Sequence, residues 1–349
     1  MNKFTNYFSN YHNISFISLS IIAIGYTIYY YRNMCHRITF DNINKKYKQK
    51  YEWENELEIY AISMPKFFTN VPKKKRCLLL IGGYKDIPYV WDHISKLLIS
   101  DGLDFYAPRT YGNGRSFFQI SNWKDWVITY LEAIYILQEQ YESIDIISFS
   151  TGTVIALYLA QYNYKCKINN IFLCAPFLLN KPSSTIKLFF SRNIFSYFIN
   201  RIYAWTFRFH PKSKSKYAGY RDTNNQFNSI YDYCEIFGDL ETETTLFDFI
   251  KFRPKYINAS NVIILYPNDD DIIGDIYEQH KIVSDIFHKP IDLISIPSYL
   301  STLNLDNLDN LDNLNNLNNL PKKCGHVMFK EYSEIVLDVY QNIIKFIKN

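Results

Sequence analysis

The stretch IDIISFSTGTVIALYLAQ, residues 144–161, passes from a strand-forming segment into a helix-forming one with only a few small residues between them. Ile144 to Ile147 is apolar except for Asp145 and reads as a short buried strand. From Thr153 the pattern Val-Ile-Ala-Leu-Tyr-Leu-Ala suits a packed helix. A joint this short makes the chain turn sharply. It pushes the central residue into strained backbone geometry and lifts that side chain clear of the sheet. That residue is Ser150.

The flanking sequence repeats the alternation. ELEIYAISM (56–64) alternates as one strand. After the basic run Lys73–Arg76, CLLLIGG reads as a buried strand ending on a glycine pair. PYVWDHISKLLIS has helical spacing, with Pro88 suited to a first turn. LDFYAP is strand-like, and SNWKDWVITYLEAIYILQEQ is an amphipathic helix that Ser121 would cap. Beyond the opening segment come the strand INNIFLCAP, the strand NVIILYP, a helix around 275–287, the strand IDLISIP and a closing helix from about 327 to 347. Strands alternating with helices at crossover lengths predict an α/β fold, a mostly parallel sheet covered by helices on both faces.

Two segments break the rhythm. Residues 179–258 are too long for a loop and dense in aromatics at helical spacing, as in TIKLFFSRNIFSYFINRIYAWTFRF, which predicts a helical cap, a second membrane contact, or both. Residues 301–320 carry a three-residue repeat of Leu with Asn or Asp that returns to no single helix face, so a surface insertion is expected there.

The amino-terminal region points to a membrane. Ile14 to Tyr31 carries no charge, and as a helix it would be about 27 Å long, close to the thickness of a hydrocarbon core. Arg32, Arg37, Lys45, Lys46, Lys48 and Lys50 follow at once, against Lys3 before it, a bias that places the body on the cytosolic side. The expected organisation is an anchor and basic juxtamembrane segment over 1–50 and a folded domain over 51–349. A cleaved signal peptide would need a small-residue cleavage site, which does not follow the apolar run; a helix packed on the domain is the other alternative. The net charge of +4 over 349 residues gives no basic face for nucleic acid. The six cysteines form no CxxC pair and no metal-ligand spacing, so no cofactor or metal is expected, and reduced structural thiols fit a cytosolic domain.

From about residue 56 onward these pieces resemble the α/β-hydrolase family. Its nucleophile elbow, G-x-S-x-G between strand and helix, is matched by Ser148-Phe149-Ser150-Thr151-Gly152, with Ser148 in place of the first glycine. GGYKDIPYVW (82–91) resembles the family's His-Gly-x turn ending at a Trp, with Gly82 where the His is usual. The resemblance assigns the oxyanion hole to the backbone N–H groups of Tyr84 and Thr151. APRTYGNGRS (107–116) resembles the family's D-x-x-G-x-G-x-S loop, with Arg109 at the Asp position; it serves here as a fold marker without catalytic duty. After NVIILYP, Asp269, Asp270 and Asp271 are all candidates for the catalytic acid. Aligning Asp-x-Ile-Ile with the family's Asp-x-Val-Val selects Asp270. His326, in the small-residue turn CGHVMF before the last helix, stands at the family's position for the base. The order Ser150, Asp270, His326 is the order this fold uses.

The resemblance implies a serine hydrolase working through an acyl-enzyme. The apolar, aromatic cap and the anchor favour a lipophilic acyl ester as substrate, loosely in line with the monoacylglycerol-lipase and lysophospholipase-like branch. Two alternatives stand beside it. One is an inactive scaffold of the same fold that binds a partner through its cap, and the other is a small-peptide hydrolase using Glu241 and Glu243.

Overall fold

The computed structural model describes residues 20, 23–27, 30, 64–71, 74–84, 86–111, 113, 123–179, 209–211, 237–239, 253–268, 270, 273–296, 329 and 333–348. The strands are β1 (Lys66–Phe68), β2 (Arg76–Ile81), β3 (Asp104–Ala107), β4 (Ser143–Phe149), β5 (Lys167–Cys174), β6 (Phe209–Pro211), β7 (Phe237–Asp239), β8 (Asn261–Pro267) and β9 (Asp292–Ile296). The helices are α1 (Asp92–Ser100), α2 (Trp123–Gln138), α3 (Gly152–Leu159), α4 (Ile276–Phe287) and α5 (Ser333–Lys348).

Seven strands form one sheet in the order β1-β3-β2-β4-β5-β8-β9. β1 runs antiparallel to β3, and every other pairing is parallel. The near-continuous apolar runs of β2, β4, β5 and β8 are explained by burial on both faces. Cys77, Leu79 and Ile81 of β2 point to the face covered by α2, α3 and α4, while Leu78 and Leu80 point to the face covered by α1 and α5. β6 and β7 pair only with each other, inside the interval expected to form the cap.

Most expected elements appear within a residue or two of their predicted bounds. Pro88 opens a 3-10 turn, Pro88–Trp91, that leads into α1. The last helix starts at Ser333, later than the predicted 327, and Phe329 lies in a turn with its ring buried against Trp91 and Phe149. β1 has no counterpart in the sequence reading. The strand expected over 56–64, the Ser121 cap, most of the 179–258 interval and the 301–320 repeat lie outside the described residues. Of the 14–31 stretch, Ser20, Ala23–Thr27 and Tyr30 are helical, with Ile24, Tyr26 and Tyr30 exposed; its remainder also lies outside them. Among the described residues, no helix is long and apolar enough to cross a membrane.

One polar row interrupts the core. Arg76, Asp145, Asn170 and Asn261 lie on adjacent strands at the amino-terminal ends of β2, β4, β5 and β8. Asn170 donates its backbone N–H (3.1 Å) and its Nδ2 (2.8 Å) to Asp145 Oδ1. Arg76 Nε lies 3.5 Å from Asp145 Oδ2, an ion pair longer than a good hydrogen bond. Arg76 and Asn170 also donate to the carbonyls of Ile347 and Phe346, fastening the end of α5 to the sheet.

Burial pushes the Asp145 carboxyl up to about 6, against the opposing pull of Arg76 and Asn170. The folded chain therefore holds this proton through a window in which the unfolded chain has released it. The stabilisation is complete below the ordinary carboxylate value and is lost as pH rises through about 6. The Asp145→Asn variant does not titrate. Its stability relative to the native sequence should rise by about 2 kcal/mol between pH 4 and pH 7, measured by urea unfolding at each pH. A difference that stays constant across the window would refute this assignment.

Candidate active site

At the carboxyl end of β4, Ser150 adopts φ 52°, the left-handed region that non-glycine residues rarely enter. Holding a serine there costs about 1–2 kcal/mol, so the surroundings must impose it. Its N–H donates to the Cys174 carbonyl at the end of β5 (3.0 Å), and its carbonyl accepts from the Thr153 N–H (3.1 Å) and the Thr153 hydroxyl (2.5 Å). The Thr153 hydroxyl accepts in turn from the Phe177 N–H (3.3 Å), tying the turn to the loop beyond β5.

The small residues around Ser150 have distinct steric reasons. A Cβ on Gly152 would collide with the Gly82 carbonyl and lie 2.6 Å from the Ile81 carbonyl, so α3 begins in backbone contact with the end of β2. A Cβ on Gly83 would sit 3.0 Å from Ser150 Cβ and 2.9 Å from Asp86 Oδ2. At the position where the family motif has its first glycine, Ser148 is buried and donates its hydroxyl to the Phe172 carbonyl (2.9 Å), so its polar group is satisfied inside the sheet.

Thr151 directly precedes α3, where backbone N–H groups lack intrahelical acceptors and the helix dipole favours negative charge. Tyr84 follows the Gly82–Gly83 pair that crosses over Ser150, with its ring set edge-on to Trp126 at 5.8 Å. Both predicted oxyanion donors therefore belong to backbone at the carboxyl edge of the sheet, beside Ser150.

Asp270 lies three residues beyond β8, at the same edge, and its Oδ1 accepts the Ile273 N–H at 3.1 Å. The next residue, Gly274, donates its N–H to the Leu179 carbonyl (2.8 Å) and is crowded against the Leu179 backbone. Gln279 accepts from the Leu178 N–H (2.8 Å) and Arg253 donates to the Leu178 carbonyl (3.0 Å). The loop carrying Asp270 is thus fastened where the chain leaves the sheet for the 179–258 interval, and Arg253 ties that exit to the segment leading back to β8. His326 lies outside the described residues, as do Asp269 and Asp271. Among the described residues no group of His, Cys, Asp or Glu could hold a metal ion.

Four participants escaped the sequence reading. The loop after β3, taken only as a fold marker, supplies Asn113, whose Nδ2 donates to the Asp86 carbonyl (2.7 Å), and Thr110, which shares a 2.7 Å hydrogen bond with the Tyr130 hydroxyl. Burial pushes Tyr130 up to about 12, so it keeps its proton. Tyr130 accepts the Gly82 N–H at 3.3 Å, and Asp86 accepts the Gly83 N–H at 2.7 Å. The only sequence signal for Asp86 was an acceptor side chain three residues after a glycine.

Residues 77–335 match the family described as alpha/beta hydrolase fold. No curated protein matches the chain in sequence. Among solved structures, a soluble variant of monoglyceride lipase from Saccharomyces cerevisiae is 12% identical with a TM-score of 0.56, covering 81% of this chain and 90% of its own. A metagenome-derived lipolytic enzyme is 10% identical with a TM-score of 0.55, covering 82% and 98%. The enol-lactonase from Burkholderia xenovorans LB400 is 10% identical with a TM-score of 0.52, covering 82% and 96%. At such identities the likeness concerns the fold, which hosts many chemistries.

The contact at Gly152 is the tightest at this edge and the obstruction is backbone. Gly152→Ala should therefore cost about 3 kcal/mol, seen as a lower urea midpoint with an unchanged slope. Retention of native stability would mean that the end of β2 can yield.

Proposed function

The chain belongs to the alpha/beta hydrolase fold family, and on that premise we propose that it is a serine hydrolase that cleaves a lipophilic carboxylic ester through Ser150, His326 and Asp270. The observation that carries the reading is Ser150 itself, a left-handed, nearly buried serine between a parallel strand and the start of a helix. A merely structural turn has no use for a serine at φ 52° where glycine would be free of strain.

Two further observations support the partners. Phe329 packs its ring 5.5 Å from that of Phe149, the residue before Ser150. Three residues span at most about 11 Å, a chain length that supports reading His326, three residues before Phe329, as the base. Asp270 is held beyond β8 at the same edge, its Oδ1 engaged by the Ile273 N–H.

In this mechanism His326 takes the Ser150 proton as the hydroxyl oxygen attacks the ester carbonyl carbon. Asp270 accepts the other imidazole N–H, which fixes the tautomer and stabilises the imidazolium. The tetrahedral oxyanion is met by the N–H groups of Tyr84 and Thr151. Collapse breaks the ester C–O bond, and His326 returns its proton to the leaving alcohol. Water, deprotonated by the same imidazole, then releases the acid and restores Ser150.

The uncharged Ile14–Tyr31 stretch and the aromatic 179–258 interval argue for an acyl chain that partitions into a bilayer. The exposure of Ile24, Tyr26 and Tyr30 favours a lipid-facing helix over one packed on the domain. The named lipolytic activities of two structural neighbours lie in the same substrate class. A membrane-anchored enzyme with its domain on the cytosolic side is the arrangement we propose.

The test is fluorophosphonate labelling of cell membranes containing the full chain. Labelling should be lost in Ser150→Ala and reduced at least about 100-fold in His326→Ala, and the labelled chain should stay in the membrane pellet after alkaline carbonate. Labelling that survives Ser150→Ala sinks the nucleophile assignment, and release by carbonate sinks the anchor.

A further inference from the structure

The loop after β2 is tied from several sides, and the proposed oxyanion donor sits within it. The Gly82 N–H donates to the Tyr130 hydroxyl at 3.3 Å, and the Gly83 N–H donates to Asp86 Oδ2 at 2.7 Å. The Asp86 N–H returns to the Gly83 carbonyl at 3.2 Å, so one residue grips Gly83 at both its donor and its acceptor. Asn113, from the loop after β3, holds the Asp86 carbonyl at 2.7 Å. Asp86 is only 4% exposed, an expensive place for a carboxyl group unless its hydrogen bonds serve a purpose.

The geometry defines that purpose. The Gly83 carbonyl and the Tyr84 N–H belong to one planar peptide unit and point to opposite sides of the chain. Anchoring the carbonyl toward the Asp86 N–H therefore aims the Tyr84 N–H the other way. The same peptide begins at a glycine whose missing Cβ would lie 3.0 Å from Ser150 Cβ. Resting on the hydrolase reading above, we infer that Asp86 is a positioning residue of the oxyanion hole. Its carboxylate and N–H fix the Gly83–Tyr84 peptide so that the Tyr84 donor is aimed before substrate arrives. Asp86 itself touches no reacting atom. Donors that need no reorganisation during reaction stabilise a transition state far more than mobile ones, so the role should show in kcat.

The experiment uses the full chain in detergent with p-nitrophenyl hexanoate, alongside fluorophosphonate labelling of Ser150. Asp86→Ala should lower kcat on the order of 10–100-fold, with KM within about twofold. Asp86→Asn keeps an oxygen able to accept the Gly83 N–H and should recover most of that loss. A purely structural role would instead lower the folded fraction and leave kcat per labelled site unchanged, which overturns the inference. If Asp86→Ala does not fold, Asn113→Ala loosens the same grip from outside. Its kcat should fall roughly 3–10-fold at constant KM, and an unchanged kcat overturns the inference. A native chain that neither turns over ester nor labels at Ser150 sinks the hydrolase reading and this inference with it. Normal labelling with unaffected Asp86 variants sinks this inference alone.

Discussion

Ser150 is held at φ 52° because the strand before it and the helix after it are fixed independently. β4 lies between β2 and β5 in the middle of the sheet, hydrogen-bonded on both edges and buried on both faces. α3 cannot withdraw, since its first turn is packed into the hydrophobic layer beneath α2 and its first residue rests on the carbonyls that end β2. The turn between them has no freedom to relax. The strain of a left-handed serine, about 1–2 kcal/mol, is offset by the burial of apolar side chains around the turn, among them Ile146, Ile147, Phe149, Val154 and Ile155.

The same constraint organises the carboxyl edge of the sheet. Pressing α3 against β2 brings the Gly82–Gly83 pair over Ser150. In the proposed mechanism the oxyanion donors are backbone groups, which are insensitive to side-chain identity, so Gly82 can stand where the family motif has a histidine. The opposite edge is built for a different purpose. There the Arg76–Asp145–Asn170–Asn261 row ties four strands to the end of α5, far along the strands from Ser150. One end of the sheet holds its polar groups for anchorage; the other carries Ser150 and the proposed oxyanion donors.

The sequence made the elbow legible because two periodicities collide within a few residues, and only a sharp turn reconciles them. The core strands were legible for a related reason. Strands buried on both faces are nearly continuous apolar runs, and NVIILYP coincides with β8. β1 was not, because a three-residue edge strand of intermediate and exposed residues has too little pattern to read. The braces around Gly83 were hidden more deeply. Asp86, Asn113, Thr110 and Tyr130 come from three separate segments, and their roles exist only once β2, β3 and α2 are brought together. Nothing in the spacing of Tyr130 on its helix distinguishes it from an ordinary core aromatic. Tyr84, Thr151 and Asp270 were singled out through family resemblance rather than through pattern alone, and each lies at the carboxyl edge.

The central claim is that Ser150 forms a covalent acyl intermediate, and covalent chemistry at one named residue can be weighed. Incubating the chain with an activated carbamate, whose adduct hydrolyses slowly, and digesting it for mass spectrometry gives the direct answer. The account predicts a single carbamoyl mass on the peptide containing Ser150, reaching about one per chain, with enzyme activity falling in proportion. An unmodified Ser150 peptide from a folded chain, or a carbamoyl group carried by a different residue, would contradict it.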